Sequence, residues 1–486
     1  MKKAHYGDGA PIAALATPLS ESALALVRTS GGGEEGLNAI ALLAKVFSRP
    51  AALLSAPGNS IVHGWIVEGA GGNEAGGEKK LDEVLVSVYR APRSFTGEDG
   101  ADICCHGGIA VIRAVMAALK KAGFREALPG EFTFRAFMNG KLDLTAAESV
   151  MEIVAAKTGR ARDNALRRLA GALEKEITAI KALLVDILAG VEMYLDYSED
   201  EFLDPEGDEE AGRLPGRRLA EEAAARLMAL SELWRRERIY TEGALAVIAG
   251  RPNAGKSSLF NYLIGEDRSI VTDAPGTTRD WIEALIAVQD IPLRLADTAG
   301  LRSPSIEHSE AERIGINRSL ELLDRADIIL YVIDGTAGMT ESDREFLSGR
   351  KEAARQPLLV LWNKADLAPQ KGDPKGDSHL LAVSAKTGEG VSALMASIIG
   401  LLESASSASK ADGGEAVGPG TLRQKELIDS SLASVEEALA LSAKGEPLDI
   451  IAPLFRSAID ALGEITGDVY SEDILEAMFS RFCVGK

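Results

Sequence analysis

A glycine-rich loop is the part of this 486-residue chain whose residue types point most directly to chemistry. The loop Gly250-Arg-Pro-Asn-Ala-Gly-Lys-Ser257 follows the apolar run Ala244 to Ala249 and precedes Ser258 to Ile264, an order that predicts strand, loop and helix. Backbone N–H groups of such a loop close around phosphates, and the helix N-terminus adds partial positive charge. We expect Lys256 to reach the β- and γ-phosphates and the Ser257 hydroxyl to bind Mg²⁺.

Two loops further along the chain predict that the nucleotide is GTP. Asn363-Lys-Ala-Asp366 follows the apolar run Leu358 to Trp362, so it lies at the carboxyl end of a predicted strand, where open α/β sheets bind ligands. A carboxylate there can accept hydrogen bonds from the guanine N1–H and exocyclic amine, donors that adenine lacks in that arrangement. Ser384-Ala-Lys386, after the short strand predicted at Leu380 to Val383, resembles the second base-contacting loop of GTPases. The predicted base-binding residues are Asn363, Lys364, Asp366, Ser384, Ala385 and Lys386.

The segments between these loops supply the expected contacts to Mg²⁺ and the γ-phosphate. Asp297-Thr-Ala-Gly300 ends the apolar run Leu293 to Ala296, so that Asp297 would hold Mg²⁺ through water and Gly300 would sense the γ-phosphate. Thr278, within Thr272 to Asp280, resembles the Mg²⁺-binding threonine of a first switch. Further nucleotide contacts are predicted at Asn253, Ala254, Gly255, Ser258, Thr272, Thr277, Thr298 and Ala299. Four such motifs in this order predict a Ras-like P-loop GTPase domain.

Leu301 stands where small signalling GTPases carry the glutamine that orients the attacking water, and its side chain cannot form a hydrogen bond. The sequence shows no arginine finger either, a device worth roughly 10³–10⁵ in rate. Asn253 offers an extra side-chain oxygen near the phosphates, and the segment containing Thr272, Ala274 and Thr277 could add more. Together these oxygens could hold a monovalent cation; alternatively, the Asn253 amide only stabilises its loop.

Over nearly its whole length the chain resembles the tRNA-modification GTPases of the MnmE (TrmE) family. The long motifs that carry this resemblance outside the GTPase domain are Pro92 to Asp99, His106 to Gly108, Pro129 to Leu144 and Phe482 to Lys486. The resemblance implies a potassium-activated GTPase that forms a homodimer across its GTPase domains when GTP binds.

The resemblance also assigns metal-binding and catalytic residues in the GTPase domain. Asn253, Thr272, Ala274 and Thr277 match the family's potassium-binding positions, beside Ser257 and Thr278 for Mg²⁺. Glu312 matches its catalytic glutamate and joins Lys256 and Asn253 in the predicted catalytic set. From the residues alone, Glu312 could equally be a solvated charge on a surface helix.

The resemblance further implies a modification reaction and its partners. The family works with an FAD-dependent MnmG-type protein to install a 5-carboxymethylaminomethyl-type group on the wobble uridine of certain tRNAs. The one-carbon unit corresponds to 5,10-methylene- or 5-formyl-tetrahydrofolate bound in the N-terminal domain. Arg28, Asp102, Lys141 and Lys486 fall where the family binds this folate, although some relatives have Glu in place of Asp102. Each of these charged residues could instead be a solvated surface group.

Two other interpretations remain open at this stage. The GTPase motifs alone would also fit a ribosome-assembly or regulatory GTPase without a modification role. The N-terminal domain could be a folate-binding platform that contributes dimerisation and no chemistry. Cys483, a thiol near the chain end, could be reactive, but packing or positioning is the more ordinary role of such a residue.

The composition favours a cytoplasmic protein without a membrane span. No run of about 18 uncharged apolar residues occurs, Met1 to Tyr6 lacks an apolar signal segment, and three cysteines exclude a disulfide scaffold. The net charge of −20 opposes non-specific binding of nucleic acid. Contact with tRNA must therefore be local, weak or delegated to a partner.

The hydrophobic patterns predict a multidomain α/β and α+β protein. Residues 1–145 read as an α+β domain with a hairpin from Ser60 to Tyr89 and a helix from Ile109 to Lys121. Residues 146–241 and 404–486 read as two parts of one helical domain, interrupted by the GTPase domain at 242–403. The detailed expectations are one apolar stripe from Leu166 to Val191, a linker from Ser404 to Gly414, and helices at 422–439 and 450–465.

Overall fold

The computed structural model describes residues 6, 9–32, 38–68, 79–196, 214–241, 243–265, 283–288, 291–297, 321–352, 356–367, 380–405 and 417–485. The chain divides into two compact units. The first comprises Met1–Met151, Leu169–Ala220 and Ser434–Lys486, and the second comprises Glu152–Arg168 and Glu221–Ala433.

A six-stranded sheet with the order β3-β4-β5-β2-β1-β6 forms the N-terminal part of the first unit. Its strands are β1 (Ile12–Leu15), β2 (Leu24–Ser30), β3 (Ser60–Val67), β4 (Lys80–Tyr89), β5 (Gly100–His106) and β6 (Arg125–Glu126). Neighbouring strands are antiparallel except for β1 and β6. The antiparallel pairing of β3 with β4 confirms the predicted hairpin.

Helices pack against one face of this sheet because every second strand residue there is apolar. They are α1 (Ala39–Ala44), α2 (Pro50–Ser55) and α3 (Ile109–Ala122), whereas α4 (Glu131–Met138) lies on the opposite face, where its Phe132 clusters with Ile12 and Ala14 of β1. Val27, Val86 and Ile103 of the strands share one buried cluster with Val115 and Leu119 of α3. The helix expected from residue 109 is confirmed, with its end one residue later than predicted.

The helical region contains α5 (Leu144–Ala155), α6 (Gly159–Leu169), α7 (Ala172–Asp196), α8 (Arg217–Thr241) and, near the chain end, α12 (Leu422–Ala443), α13 (Leu448–Thr466) and α14 (Glu472–Phe479). The two helices predicted after residue 420 are confirmed as α12 and α13. Within the first unit, α7 packs against α13.

The prediction of one continuous apolar stripe from Leu166 was wrong at its N-terminal end. Leu166 is 45 % exposed, and the helix is interrupted between Leu169, where α6 ends, and Ala172, where α7 begins. Gly171 in this break has a left-handed φ of 86°. Glycine adopts this conformation without steric cost, so it separates two helices whose apolar periodicity looks continuous. The buried stripe begins at Leu173 and continues to Val191 on α7.

The second unit contains the other six-stranded sheet, in the order β12-β11-β10-β7-β9-β8. Its strands are β7 (Ala244–Gly250), β8 (Glu283–Val288), β9 (Ile291–Asp297), β10 (Ile328–Asp334), β11 (Leu358–Asn363) and β12 (Leu380–Ala382). Only β8 runs antiparallel to its neighbour. Hence the carboxyl ends of the five parallel strands meet at one edge of the sheet.

Helices α9 (Lys256–Gly265), α10 (Glu341–Glu352) and α11 (Val391–Ala405) accompany this sheet. Strand β7 is buried on both faces, since Ala246 and Ile248 belong to one apolar cluster and Leu245 and Val247 to the other. Helix α11 continues through Ala405, so the predicted linker begins later than Ser404; residues 406–416 lie outside the described residues. None of the helices in the described ranges is long and apolar enough to cross a membrane.

Candidate functional site

The glycine-rich loop joins β7 to α9 as predicted, at the carboxyl edge of the parallel sheet. Lys256 is the first residue of α9 and is only 7 % exposed. Its Nζ donates hydrogen bonds to the carbonyl oxygens of Gly250 (2.9 Å) and Arg251 (2.7 Å), so the loop curls around the ammonium group. Phosphate oxygens bound by the backbone N–H groups of this loop would lie beside that charge.

Ser257 and Asp297 form the part of the site that fits Mg²⁺. The Ser257 hydroxyl donates to Asp297 Oδ2 at 2.8 Å, because β7 and β9 are adjacent and parallel. Asp297 is 7 % exposed. A hydroxyl and a carboxylate next to the phosphate loop are the oxygen ligands that Mg²⁺ prefers, directly or through water. The other predicted contacts, Thr278, Thr298, Ala299 and Gly300, lie outside the described residues.

Asn363 connects the phosphate loop to the second base-contacting loop. Its Nδ2 donates to the carbonyl oxygen of Ala254 at 2.9 Å, and its Oδ1 accepts from the backbone N–H of Ala385 at 3.0 Å. Asn363 is 1 % exposed, so both hydrogen bonds are shielded from water. The side chain therefore holds together two loops that the sequence assigns to different parts of the nucleotide.

The base-contacting loops are organised by side-chain hydrogen bonds. Asp366 Oδ1 accepts from the Ser384 hydroxyl at 2.7 Å, while Lys364 Nζ lies 2.7 Å from Asp334 Oδ2 at the end of β10. Burial alone would raise the pKa of Asp334, but hydrogen bonds from Lys364 and Thr336 outweigh burial and lower it to about 2. Lys386 is exposed and Ser384 is fully buried. Five of the six predicted base-binding residues thus share one hydrogen-bonded region.

The predicted potassium site and catalytic set are described only in part. Asn253 is exposed and has a left-handed φ of 64°, a conformation that asparagine tolerates better than most residues. The next residue, Ala254, is buried, and Ser258 is exposed on the first turn of α9. The other members of these sets, Thr272, Ala274, Thr277 and Glu312, lie outside the described residues.

The N-terminal sheet carries a separate cavity that is partly open to solvent. Arg28 and Asp102, which are directly paired between β2 and β5, both line it. Arg28 Nε lies 2.9 Å from Asp102 Oδ1, and its Nη2 lies 3.3 Å from Oδ2. Phe132 lies beneath the guanidinium, with 6.0 Å between Arg28 Cζ and the ring centroid. A planar ring with polar edges fits a cavity that combines an aromatic wall with an ion pair.

Of the other two predicted folate contacts, one lies beside this cavity and one is not described. Lys141 donates to the carbonyl oxygen of Pro92 at 3.0 Å and is absent from the described cavity lining. Lys486 lies outside the described residues, but the carbonyl oxygen of Gly485 accepts a 3.4 Å hydrogen bond from Arg28. The chain end is thereby attached to the cavity.

The motif that ends the chain packs through its aromatic residue. Phe482 is 8 % exposed and contacts Phe479, with a ring-centroid separation of 5.1 Å. Cys483 itself is exposed, and its carbonyl oxygen accepts from the backbone N–H of Gly130. These contacts give the motif a packing role, and they include no group that would activate the Cys483 thiol.

Comparisons with known proteins cover the whole chain. A profile of the MnmE helical domain matches residues 144–483, and one of the GTP-binding protein TrmE N-terminus matches residues 11–141. The tRNA modification GTPase MnmE of Treponema denticola is 40% identical over 499 residues, covering 100% of both chains. That of Carboxydothermus hydrogenoformans is 38% identical over 483 residues, covering 98% of this chain and 99% of the relative. This chain belongs to the MnmE family.

Membership of the MnmE family confirms the predicted fold class and the prediction of a GTP-hydrolysing enzyme. Among solved structures, the chain is similar to Era of Aquifex aeolicus bound to GDP and AlF₄⁻, with 24% identity. That likeness covers 39% of this chain and 66% of Era, and its TM-score of 0.26 is too low to support any conclusion about function.

Several residues of these MnmE-family sites were not among the predicted site residues, although Thr96 lies within the motif Pro92 to Asp99. Ser30, Thr96 and Tyr89 line the N-terminal cavity, and the hydroxyls of Ser30 and Thr96 lie 2.6 Å apart. Asp334 pairs with Lys364 although it belongs to none of the recognised motifs. These residues come together through the register of paired strands. The spacing of residues along one strand does not reveal that register.

Proposed function

We propose that this chain is a potassium-activated GTPase that modifies the wobble uridine of certain tRNAs together with an FAD-dependent MnmG-type partner. Hydrolysis of GTP to GDP and phosphate would drive the modifying complex, in the cytoplasm and as a homodimer. The observation that carries the proposal is the convergence of Lys256, the Ser257–Asp297 pair and Asn363 at one sheet edge. The printed names of the relatives supply the tRNA-modifying role.

The groups at this edge have distinct tasks in hydrolysis. Lys256 would neutralise charge on the β- and γ-phosphates, and Asp366 would accept the two guanine donors. Mg²⁺, held by Ser257 and Thr278 and through water by Asp297, would stabilise charge between the same phosphates. Because Leu301 cannot orient water, we assign that task to Glu312.

Asn253, together with Thr272, Ala274 and Thr277, would hold K⁺ where other GTPases place an arginine finger. The support for this assignment is the left-handed, exposed Asn253 at the mouth of the phosphate loop. A cation there would stabilise negative charge that develops on the transferred group. Its chemistry is electrostatic and needs oxygen ligands only.

We further propose that the N-terminal cavity binds the tetrahydrofolate. Arg28 and Asp102 would contact its polar ring edge, and Lys141 and Lys486 its glutamate tail. Because Arg28 engages both oxygens of Asp102, the pair would recognise the ligand as one unit. The GTPase domain at 242–403 would interrupt a helical domain formed by 146–241 and 404–486.

The potassium assignment is tested by GTP turnover in KCl and in NaCl with the full-length chain. We expect wild type to be slower in NaCl by on the order of 10²-fold, the usual loss when one electrostatic stabiliser is removed. Asn253→Gly removes the side chain but permits the left-handed backbone, so it should be equally slow in both salts. GTP affinity should change little.

Asn59→Gly is the matched control, because Asn59 is also exposed with a left-handed φ of 60°. It should retain the salt response of wild type. Equal wild-type rates in the two salts would remove potassium from the proposal. Mass spectrometry of tRNA nucleosides from a deletion strain tests the modification role separately; normal wobble uridines there would favour a regulatory or ribosome-assembly GTPase.

A further inference from the structure

Helix α6 and the two residues before it carry the largest local excess of positive charge in the sequence. Between residues 157 and 168 lie five cations, Lys157, Arg160, Arg162, Arg167 and Arg168, against one carboxylate, Asp163, which gives a net charge of +4. The whole chain has a net charge of −20. A polyanion approaching this protein therefore meets attraction at this segment and repulsion over much of the remainder.

The helical geometry sorts these residues onto two faces. Ala161, Ala165 and Arg168 are buried, at spacings of four and three that place them on one side of α6. Lys157, which precedes the helix, and Arg160, Arg162 and Arg167 are exposed. Arg160 and Arg167 lie on one flank of the solvent side and Arg162 on the other, and we call this solvent side the α6 basic face. Arg162 pairs with neighbouring Asp163 at 2.7 Å, but both side chains are more than half exposed, so the pair is weak.

The buried side of α6 fixes the helix firmly within the second unit. Arg168 is 1 % exposed; its Nε donates to Glu152 Oε2 at 2.8 Å, and its Nη1 donates to Glu237 Oε2 at 3.0 Å. Arg168 Nη1 also donates to the carbonyl oxygen of Gly418 at 3.1 Å. Arg160 is held as well, with its guanidinium 3.9 Å from the Tyr240 ring centroid. The basic face thus belongs to an anchored helix, which lowers the entropy lost when a ligand binds.

The chemistry of the α6 basic face matches phosphates better than a protein surface. Three of its four cations are arginines, whose planar guanidinium groups bind phosphate oxygens through paired hydrogen bonds. Protein interfaces need an apolar or aromatic centre, and the only large exposed apolar side chain on α6 is Leu166. Positioning contacts to nucleic acids are dominated by Arg and Lys on phosphates.

We propose that the α6 basic face binds the phosphate backbone of tRNA. The identity of the RNA rests on the proposed function, whereas the location follows from charge and exposure. Because the contacts are to phosphates, the face would orient the RNA on the protein without reading its sequence. The negative charge elsewhere would restrict binding to this orientation.

The test is binding of an unmodified tRNA transcript to the full-length chain across a range of salt concentrations. The variant Lys157→Gln/Arg162→Gln/Arg167→Gln keeps long side chains and removes three charges; Arg160 is left in place because it packs on Tyr240. We expect the affinity to fall by about 10- to 100-fold, and the slope of log affinity against log salt to decrease by about 3, roughly one for each lost phosphate contact. GTP hydrolysis without RNA should match wild type, which also verifies folding.

The matched control is Lys79→Gln/Lys120→Gln/Lys121→Gln, which removes three exposed cations from the N-terminal domain and changes the net charge equally. It should retain the affinity and salt slope of wild type. If the α6 variant keeps the affinity and salt slope of wild type, the proposal is overturned. The proposed function still stands in that case if the chain supports wobble modification in cells. Binding of a polyglutamate peptide is measured alongside. If the α6 variant loses this binding while its tRNA binding is unchanged, the tRNA proposal is overturned and the face is instead a site for an acidic protein. If wild type neither binds the transcript nor supports wobble modification, the proposed function itself fails.

Discussion

At the scale of single residues, the base-reading motif divides its work between specificity and assembly. Both ends of the Asn363 amide bond to backbone groups of neighbouring loops. In the proposed function, recognition of the guanine donors would then fall to Asp366, which accepts a hydrogen bond from Ser384. The motif Asn363 to Asp366 is predicted to bind the base, yet the Asn363 side chain forms its hydrogen bonds with the protein backbone.

The Lys364–Asp334 pair gives a prediction about stability and pH. The pKa of Asp334 is depressed from 3.8 to about 2, so its contribution to folding is fully present above pH 4 and is lost as the pH falls toward 2. We expect the difference in free energy of unfolding between wild type and Asp334→Asn to be constant from pH 7 to 5 and to shrink below pH 4. Urea denaturation at each pH measures it; a difference that does not shrink would contradict the assignment.

The sequence correctly predicted where its continuous motifs lie in the fold. The phosphate loop and the Asn363 motif each combine a strand end with a loop, and local spacing reveals both. Asp334 and Ser30 act only because strand register brings them to Lys364 and the cavity. Register depends on pairing between distant segments, which the chain's own periodicity does not specify.

At the scale of elements, a buried charge network joins three helical segments of the second unit. Arg168 on α6 binds Glu152 on α5 and Glu237 on α8. Burial raises the pKa of Glu237, although Arg168 opposes that effect. Helical periodicity does not mark Arg168 as a buried residue of α6. Arg168 was missed because a buried arginine is indistinguishable in sequence from its exposed neighbour Arg167.

We predict that Arg168→Met destabilises the folded state by about 3–5 kcal/mol, because it leaves two buried carboxylates without their partner. Urea unfolding at pH 7 measures the change. The control is Glu152→Gln/Arg168→Met/Glu237→Gln, which removes all three charges and should regain most of the lost stability. A single variant as stable as wild type would show that the network is not essential to the fold.

At the scale of the whole molecule, the chain consists of two compact units that carry different candidate sites. The N-terminal cavity belongs to the first unit and the phosphate loop to the second. The sequence predicted three domains by pattern and composition. Helices α5, α8 and α12 each contain a boundary between the units, which periodicity within one helix does not reveal.

This division predicts two transitions in calorimetric unfolding, each with its own ligand response. GDP with Mg²⁺ should raise the midpoint of one transition, and 5-formyl-tetrahydrofolate that of the other. A ligand at 100 times its dissociation constant stabilises the unit that binds it by about 2.7 kcal/mol. Wild type should be scanned with each ligand alone. A single transition shifted equally by both would show that the two units unfold together.

The packing of Gly255 against Asn363 has a consequence for how this chain can vary. Gly255 has a φ of 91°, and a side-chain carbon there would overlap the Asn363 Nδ2 atom. The hydrogen bond that links this amide to Ala254 spans 109 residues of sequence. The phosphate loop and the guanine motif therefore cannot evolve independently. In a library that randomises both positions together, the frequency of functional pairs should differ from the product of the two single-site tolerances.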